Sequence, residues 1–316
     1  HILYQSIKEE LMDQFNVYKD MKARTNGEIY IGVVGPVRTG KSTFIKRFMN
    51  LMVLPNIEDE NDRNRANDEL PQSSSGKTIM TTEPKFVPNE AVSIKTEEGI
   101  ELNVRLIDCV GYMVEGATGH MEGEEERLVK TPWFDYEIPF TKAAAIGTKK
   151  VITEHSTIGV VVTCDGSFGE IAAKQYEPAE EETIKQLKAL KKPFVVLLNT
   201  IHPYSESTKQ LAAEKEEKYQ TKVLPMNLEQ MKKEDIYEII KSVLMEFPIS
   251  SIGFYVPRWT EMLKKDHPLK MELLQMARDV ITEKTTMRDI YEEQEKEYEY
   301  ITGQKLESVA MDSGEV

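Results

Sequence analysis

A lysine and a hydroxyl residue placed directly after a short glycine-bounded loop make up a set of groups suited to a polyphosphate. Here they are Lys41 and Ser42, at the end of Gly35-Pro36-Val37-Arg38-Thr39-Gly40. Backbone N–H groups of such a loop, together with the positive end of a following helix, attract phosphate oxygens. Lys41 is expected to reach the outer phosphates and the Ser42 hydroxyl to coordinate Mg²⁺. Gly35, Arg38, Thr39, Gly40 and Thr43 complete the expected cradle. Arg38 reads either as a cation that neutralises developing charge in cis or as an ordinary solvated loop arginine.

Three further stretches carry the rest of the chemistry. Asp108-Cys109-Val110-Gly111 ends an apolar run; its carboxylate is expected to hold Mg²⁺ and its glycine N–H to meet a terminal phosphate. Between the two motifs lies Lys77-Thr78-Ile79-Met80-Thr81-Thr82, where a nucleotide switch places the threonine that senses the γ-phosphate and the metal. Thr81 and Thr82 are the candidates for that role, Thr81 also as a metal ligand, with Thr78 behind them; the alternative is ordinary loop threonines. Tyr112 stands where Ras-type switches carry a water-orienting glutamine. Either another group positions the water, the backbone or Thr81 and Thr82 among them, or turnover is slow until assembly completes the site.

Asn199-Thr200-Ile201-His202 falls where guanine-reading enzymes place Asn-Lys-x-Asp. The asparagine is kept, but Thr200 replaces the lysine and His202 the aspartate. Losing two charge-assisted bonds of about 1.5–3 kcal/mol each costs on the order of a hundredfold or more in guanine preference. ATP is therefore expected, with Asn199 still counted among the nucleotide-binding residues.

These groups need a scaffold, and the apolar pattern supplies one. Ile29–Val34 is a buried-strand composition, and Phe44, Ile45, Phe48 and Met49 give Thr43–Asn50 a helical spacing. Strand-like runs recur at Leu102–Ile107, Thr157–Thr163, Phe194–Leu198 and Lys222–Met226, alternating with helical patterns over Thr141–Glu154, Glu177–Leu190 and Leu228–Phe247. That alternation predicts an α/β domain, a mostly parallel sheet covered by helices on both faces, over residues 27–248. Residues 1–26 read as an arm. Residues 249–316 read as the start of a second, truncated α+β or helical domain: Ile252–Val256 is strand-like, and a helix striped by Leu269, Leu273, Met276, Ala277, Val280 and Ile281 continues toward Tyr291–Tyr300. Pro55–Gly76 reads as a polar loop with a little helix, Tyr112–Pro139 as an extended polar insertion, and Ser308–Val316 carries no structural signal.

A formal charge of -14 opposes direct, charge-driven binding to nucleic acid or to an anionic membrane; any membrane contact is expected to be indirect. No run approaches the roughly 18 apolar residues of a membrane span and no signal peptide opens the chain, so a cytoplasmic protein is expected. The two cysteines, Cys109 and Cys164, end apolar runs and read as reduced core filler.

The longer motifs are more particular than a generic P-loop. The runs GPVRTGKSTFIK at Gly35–Lys46, ELPQSSSGKTIMTTEPKFVP at Glu69–Pro88, LIDCVGY at Leu106–Tyr112, TPWF at Thr131–Phe134 and EHSTIGVVVTCDG at Glu154–Gly166 resemble the stage IV sporulation protein A family. The resemblance implies a P-loop fold of the TRAFAC class, related to translation-factor GTPases but using ATP. It implies that hydrolysis drives self-assembly into a static polymer, the base layer of the endospore coat, on the mother-cell side of the outer forespore membrane. It further implies anchoring by a small amphipathic peptide and contact with other coat proteins. The family's functional lysine, sensor threonines and Mg²⁺-associated aspartate fall on Lys41, Thr81, Thr82 and Asp108. The resemblance starts near Met12, leaving residues 1–11 foreign or atypical, and the family's C-terminal region that contacts the membrane-anchoring peptide is not expected among these residues. A second reading is a GTPase-like switch that recruits a protein through nucleotide-gated loops and hydrolyses only incidentally.

Overall fold

The computed structural model describes residues 17–71, 83–95, 101–117, 120–122, 125–168, 171–291, 296–301, 303 and 305–316. Thr78, Thr81 and Thr82 lie outside the described residues. The chain divides into two units: Thr25–Val243, and the N-terminal stretch up to Arg24 together with Leu244–Val316.

In chain order the elements are α1 (Val17–Arg24), β1 (Glu28–Val34), α2 (Lys41–Phe48), α3 (Glu60–Asp68), β2 (Lys85–Lys95), β3 (Glu101–Asp108), the short β4 (Met121–Glu122) and β5 (Glu125–Glu126), β6 (Leu128–Thr131) and β7 (Phe134–Pro139). They are followed by α4 (Phe140–Lys150), β8 (Ile158–Cys164), α5 (Ala173–Ala189), β9 (Phe194–Asn199), α6 (Glu206–Tyr219), β10 (Val223–Met226), α7 (Lys233–Met245), α8 (Pro268–Glu283) and α9 (Met287–Ile290).

Six strands form the central sheet in the order β10-β9-β8-β1-β3-β2. All neighbours are parallel except β2, which runs antiparallel to β3 and has a register shift between Val87 and Val92. β8 and β9 are buried at every residue, which is why their sequences are unbroken apolar runs rather than alternating ones: both faces lie under other elements. One face gathers Val151, Ile152, Ile184, Leu187 and Tyr219 around Val34, Ile107, Val161 and Val196. β1 sits where the order reverses, with β3 on one side and β8 on the other. That is the switch point at which open α/β sheets bind ligands, beyond the carboxyl ends of their strands.

Several sequence expectations are corrected. The stretch after Gly111 is not one extended polar insertion: β6 and β7 pair as a hairpin with Trp133 at its turn, and β4 pairs with β5. Phe134 and Tyr136 pack against each other along β7, ring centroids 5.4 Å apart. α5 starts earlier than the charge pattern indicated, at Ala173, with Pro178 inside it. The helix after β10 opens as a short 3₁₀ turn, Leu228–Gln230, before α7.

In the other unit, Ile252–Val256 forms no strand. Only Ser251 bridges, to Glu315; Phe254, Tyr255 and Val256 stand exposed, and Pro257 removes the next donor. α8 stops at Glu283 instead of running toward Tyr300. The Asp289 carboxylate accepts from the N–H groups of Thr285 and Thr286 at 2.8 and 2.7 Å, and this local capping competes with helix continuation. Of the predicted stripe only Met276 is buried; Leu269, Leu273, Met276 and Val280 line a cavity of about 580 Å³. The last residues, which carry no structural signal in the sequence, join the fold: Ala310 bridges Glu315, and Met311 is buried.

Candidate nucleotide site

Each phosphate-facing residue is placed by a local rule of the backbone. β1 ends at Val34, and the chain turns at Gly35 with φ +126°, where an added Cβ would lie 2.4 Å from the Val162 carbonyl oxygen of β8. No other residue type fits that approach. Arg38 and Gly40 also take positive φ, 62° and 101°, closing the loop so that α2 begins directly at Lys41. The Thr39 hydroxyl donates to the Pro36 carbonyl at 3.0 Å, and Phe44 N–H to the Gly40 carbonyl at 2.9 Å.

Lys41 is buried, 5% exposed, and its Nζ donates to the Pro36 carbonyl at 2.5 Å and the Gly35 carbonyl at 3.5 Å. Burial lowers its pKa, while Cys109 and Asp108 pull it back up. Its hydrogen bonds go to carbonyl dipoles, and a phosphate oxygen would add a close counter-charge to a buried ammonium. Next to it, the Ser42 hydroxyl donates to Asp108 Oδ2 at 2.9 Å. Asp108 Oδ1 is buried without a hydrogen-bond partner, and burial raises the carboxyl pKa against the opposing effects of Lys41 and Ser42. A hydroxyl from the first turn of α2 and a carboxylate with a free oxygen from the end of β3, side by side, are hard oxygen ligands that fit a magnesium ion.

Gly111 closes the other wall. Its φ is +93°, and a Cβ there would lie 2.1 Å from the Gly35 carbonyl oxygen and 2.7 Å from Lys41 Nζ. The next residue, Tyr112, bridges in parallel to Pro36, and its carbonyl accepts from Val37 N–H at 3.0 Å. The Tyr112 ring packs against a cluster of Val37, Val114, Ala117 and Tyr176, and burial pushes its hydroxyl up to about 12. It occupies the glutamine position as a packing residue, with its hydroxyl neutral. Arg38 is exposed at the lip of the loop, and Thr43, the third residue of α2, is half-buried.

Asn199 is 6% exposed. Its amide donates to the Thr39 carbonyl at 3.0 Å, and its side-chain oxygen accepts from Leu228 N–H at 3.3 Å. It ties the glycine loop to the segments after β9 and β10. From the sequence Asp165 reads only as the start of a turn, and its acceptor role was not legible there. Its Oδ2 accepts from the Thr200 hydroxyl at 2.6 Å, and its Oδ1 from Ser167 N–H at 2.9 Å and the Ser167 hydroxyl at 2.5 Å. Cys109 and Cys164 are both free and buried, with burial pushing the Cys109 thiol up to about 11, which keeps it protonated and inert.

A six-stranded sheet with one antiparallel edge strand, and a glycine loop with Lys41, Ser42 and Asp108 converging at its switch point, define a P-loop NTPase of the GTPase-like, TRAFAC type. Residues 12–248 match the family profile "Stage IV sporulation protein A, ATPase domain", and residues 249–316 match "Stage IV sporulation protein A, middle domain". The chain belongs to the stage IV sporulation protein A family. It is 47% identical over 305 residues to Stage IV sporulation protein A of Bacillus anthracis, covering 96% of this chain and 62% of that one. It is 54% identical over 275 residues to the Clostridioides difficile protein of the same name, covering 87% and 56%. To the Bacillus subtilis protein it is 46% identical over 305 residues, covering 96% and 62%. The chain thus spans about three fifths of the length of these relatives. Among the described residues no helix is long and apolar enough to cross a membrane.

Proposed function

We propose that this chain is the nucleotide-hydrolysing part of a sporulation protein that couples ATP hydrolysis to its own assembly. The observation that carries this is the convergence of Lys41, Ser42, Asp108 and Gly111 on one face of the glycine loop, in a chain whose family domain is an ATPase. Lys41 and the loop amides bind the phosphates, and Ser42 and Asp108 hold Mg²⁺, with Thr81 as a further ligand. Bound there, the cation neutralises charge on the β- and γ-phosphates. Gly111 offers its N–H toward the terminal phosphate, Arg38 stands at the loop's lip to meet developing charge, and Thr81 or Thr82 reports whether the terminal group is attached. Because Tyr112 is packed away, water is positioned by backbone groups or by those threonines.

In this reading the polymer is the base layer of the spore coat, on the mother-cell face of the forespore. It contacts other coat proteins and reaches the membrane only through a small amphipathic anchor. The support for this is the family's sporulation role. The test uses the full-length protein. With ATP it should pellet on centrifugation; with a non-hydrolysable analogue it should stay in solution. Replacing Thr81 and Thr82 by Ala should leave ATP binding intact while slowing turnover and assembly, on the order of ten- to a hundredfold. Equal assembly with the analogue would instead favour the nucleotide-gated binding switch, and unchanged turnover in the double variant would remove the sensor role.

A further inference from the structure

We propose that Asp165 is the positioning residue that sets purine preference at this site, by holding Thr200 inside the protein and spending its own carboxylate to do so. The inference rests on the ATP reading above and extends it to how the base is chosen.

The base end of the site follows from the topology. Lys41, Asp108 and Gly111 lie at the β1/β3 side of the switch point. On the other side, Asn199 at the end of β9 reaches the glycine loop: the space a Cβ at Gly40 would take is bounded by Asn199 Nδ2 at 2.7 Å and Leu228 Cδ1 at 3.3 Å. A nucleotide with its terminal phosphates at Lys41 therefore extends its base toward the segments after β9 and β10.

The segment after β9 is not a guanine loop with two residues exchanged; it is built differently. Thr200, at the lysine position, is fully buried, while Ile201 beside it is 44% exposed. The Thr200 hydroxyl donates inward to Asp165 Oδ2 and accepts from His202 N–H at 3.1 Å, and the Ile201 N–H donates to the Ser167 hydroxyl at 3.1 Å. The turn that presents Asp165 is fixed by Gly166 at φ +82°. Guanine's Watson–Crick edge presents two adjacent N–H donors, which a free carboxylate satisfies; adenine presents one donor and one acceptor. Asp165 is a carboxylate next to this segment, and each of its oxygens already accepts from Thr200 or Ser167. The clamp therefore shapes the loop and withholds the acid that guanine requires. A site with unpaired polar demands rejects the ligand that makes them.

The test measures ATP, GTP and tripolyphosphate affinity by calorimetry on the full-length protein and on Thr200→Val, Thr200→Ser and Ser167→Ala. Thr200→Val keeps the volume and removes the hydroxyl, freeing Asp165 Oδ2. The ratio of ATP to GTP affinity should fall by about tenfold, while tripolyphosphate, which probes the phosphate subsite alone, should bind as in wild type. Thr200→Ser retains the hydroxyl and should retain the ratio. Ser167→Ala removes the hydroxyl donor to Oδ1 and leaves the Ser167 N–H bond in place; a severalfold fall is expected even where Thr200→Val does not fold. Folded Thr200→Val and Ser167→Ala with the wild-type ratio would overturn the inference and leave the ATP reading standing. A Thr200→Ser variant as impaired as Thr200→Val would also overturn it, since packing rather than the hydroxyl would be responsible. A wild-type protein without adenine preference would overturn the ATP reading and this inference together.

Discussion

A single unpaired oxygen separates a structural carboxylate from one built to receive a cation. Asp108 Oδ2 is engaged by Ser42, but Oδ1 is buried with no partner, a state costing about 1–3 kcal/mol unless a ligand relieves it. Replacing Asp108 by Asn removes the charge while keeping the shape and the Ser42 contact. ATP affinity measured with EDTA should then stay near wild type. The tightening brought by Mg²⁺ should shrink on the order of ten- to a hundredfold. An undiminished magnesium effect would take Asp108 out of that role. Lys41 sits in the complementary position: a buried ammonium with lowered pKa, resting on the Pro36 carbonyl.

At the scale of elements, the strand that leads to the Asp165 clamp is pinned from behind by a buried ion pair. Glu180 of α5, with no exposed surface, accepts from the Thr163 hydroxyl of β8 at 2.5 Å and from Lys215 of α6 at 2.7 Å. Lys215→Ala would strand that carboxylate, so it should cost about 3–5 kcal/mol and lower the melting temperature by roughly 10 °C. Glu180→Leu combined with Lys215→Met should recover most of the loss, because a well-packed apolar pair replaces a buried charge at little cost. In the other unit, α1 carries Asp20, buried and with Oδ2 unpaired. Burial first, then the neighbouring Asp312, pushes its pKa from 3.8 up to about 6, with Lys19 opposing. The folded protein therefore holds this proton more tightly than the unfolded chain. The associated stability is fully present below pH 3.8 and is lost as pH rises through about 6. Asp20→Asn should match wild type below pH 4 and exceed it above pH 6, by about 1 kcal/mol after solvent screening, read from denaturation midpoints across that range.

At the scale of the whole chain, net charge opposes self-association. At -14, copies repel one another over a Debye length of about 10 Å in 0.1 M salt. If hydrolysis drives assembly as proposed, raising salt from low to moderate concentration should lower the protein concentration at which polymer first pellets, with ATP turnover per site little changed. Assembly that weakens with salt would instead indicate an interface held by opposite charges.

The sequence determined the parts whose signals are local. Strand, glycine loop, Gly-Lys-Ser and helix are contiguous, and the buried runs of β8 and β9 announce a parallel sheet because a strand covered on both faces has no polar side to show. Where a segment's conformation depends on distant partners, sequence reading went astray: Ile252–Val256 has strand composition but no neighbouring strand, and α8 is stopped by Asp289 beyond its end. The tertiary structure alone decided what each polar group faces. Asn199 meets Thr39 across 160 residues of chain, Ser42 meets Asp108 across 66, and Asp165 meets Thr200 across 35. The reason is physical: residue type states what a side chain can donate or accept, whereas only the assembled sheet decides which partner, protein or ligand, will satisfy it.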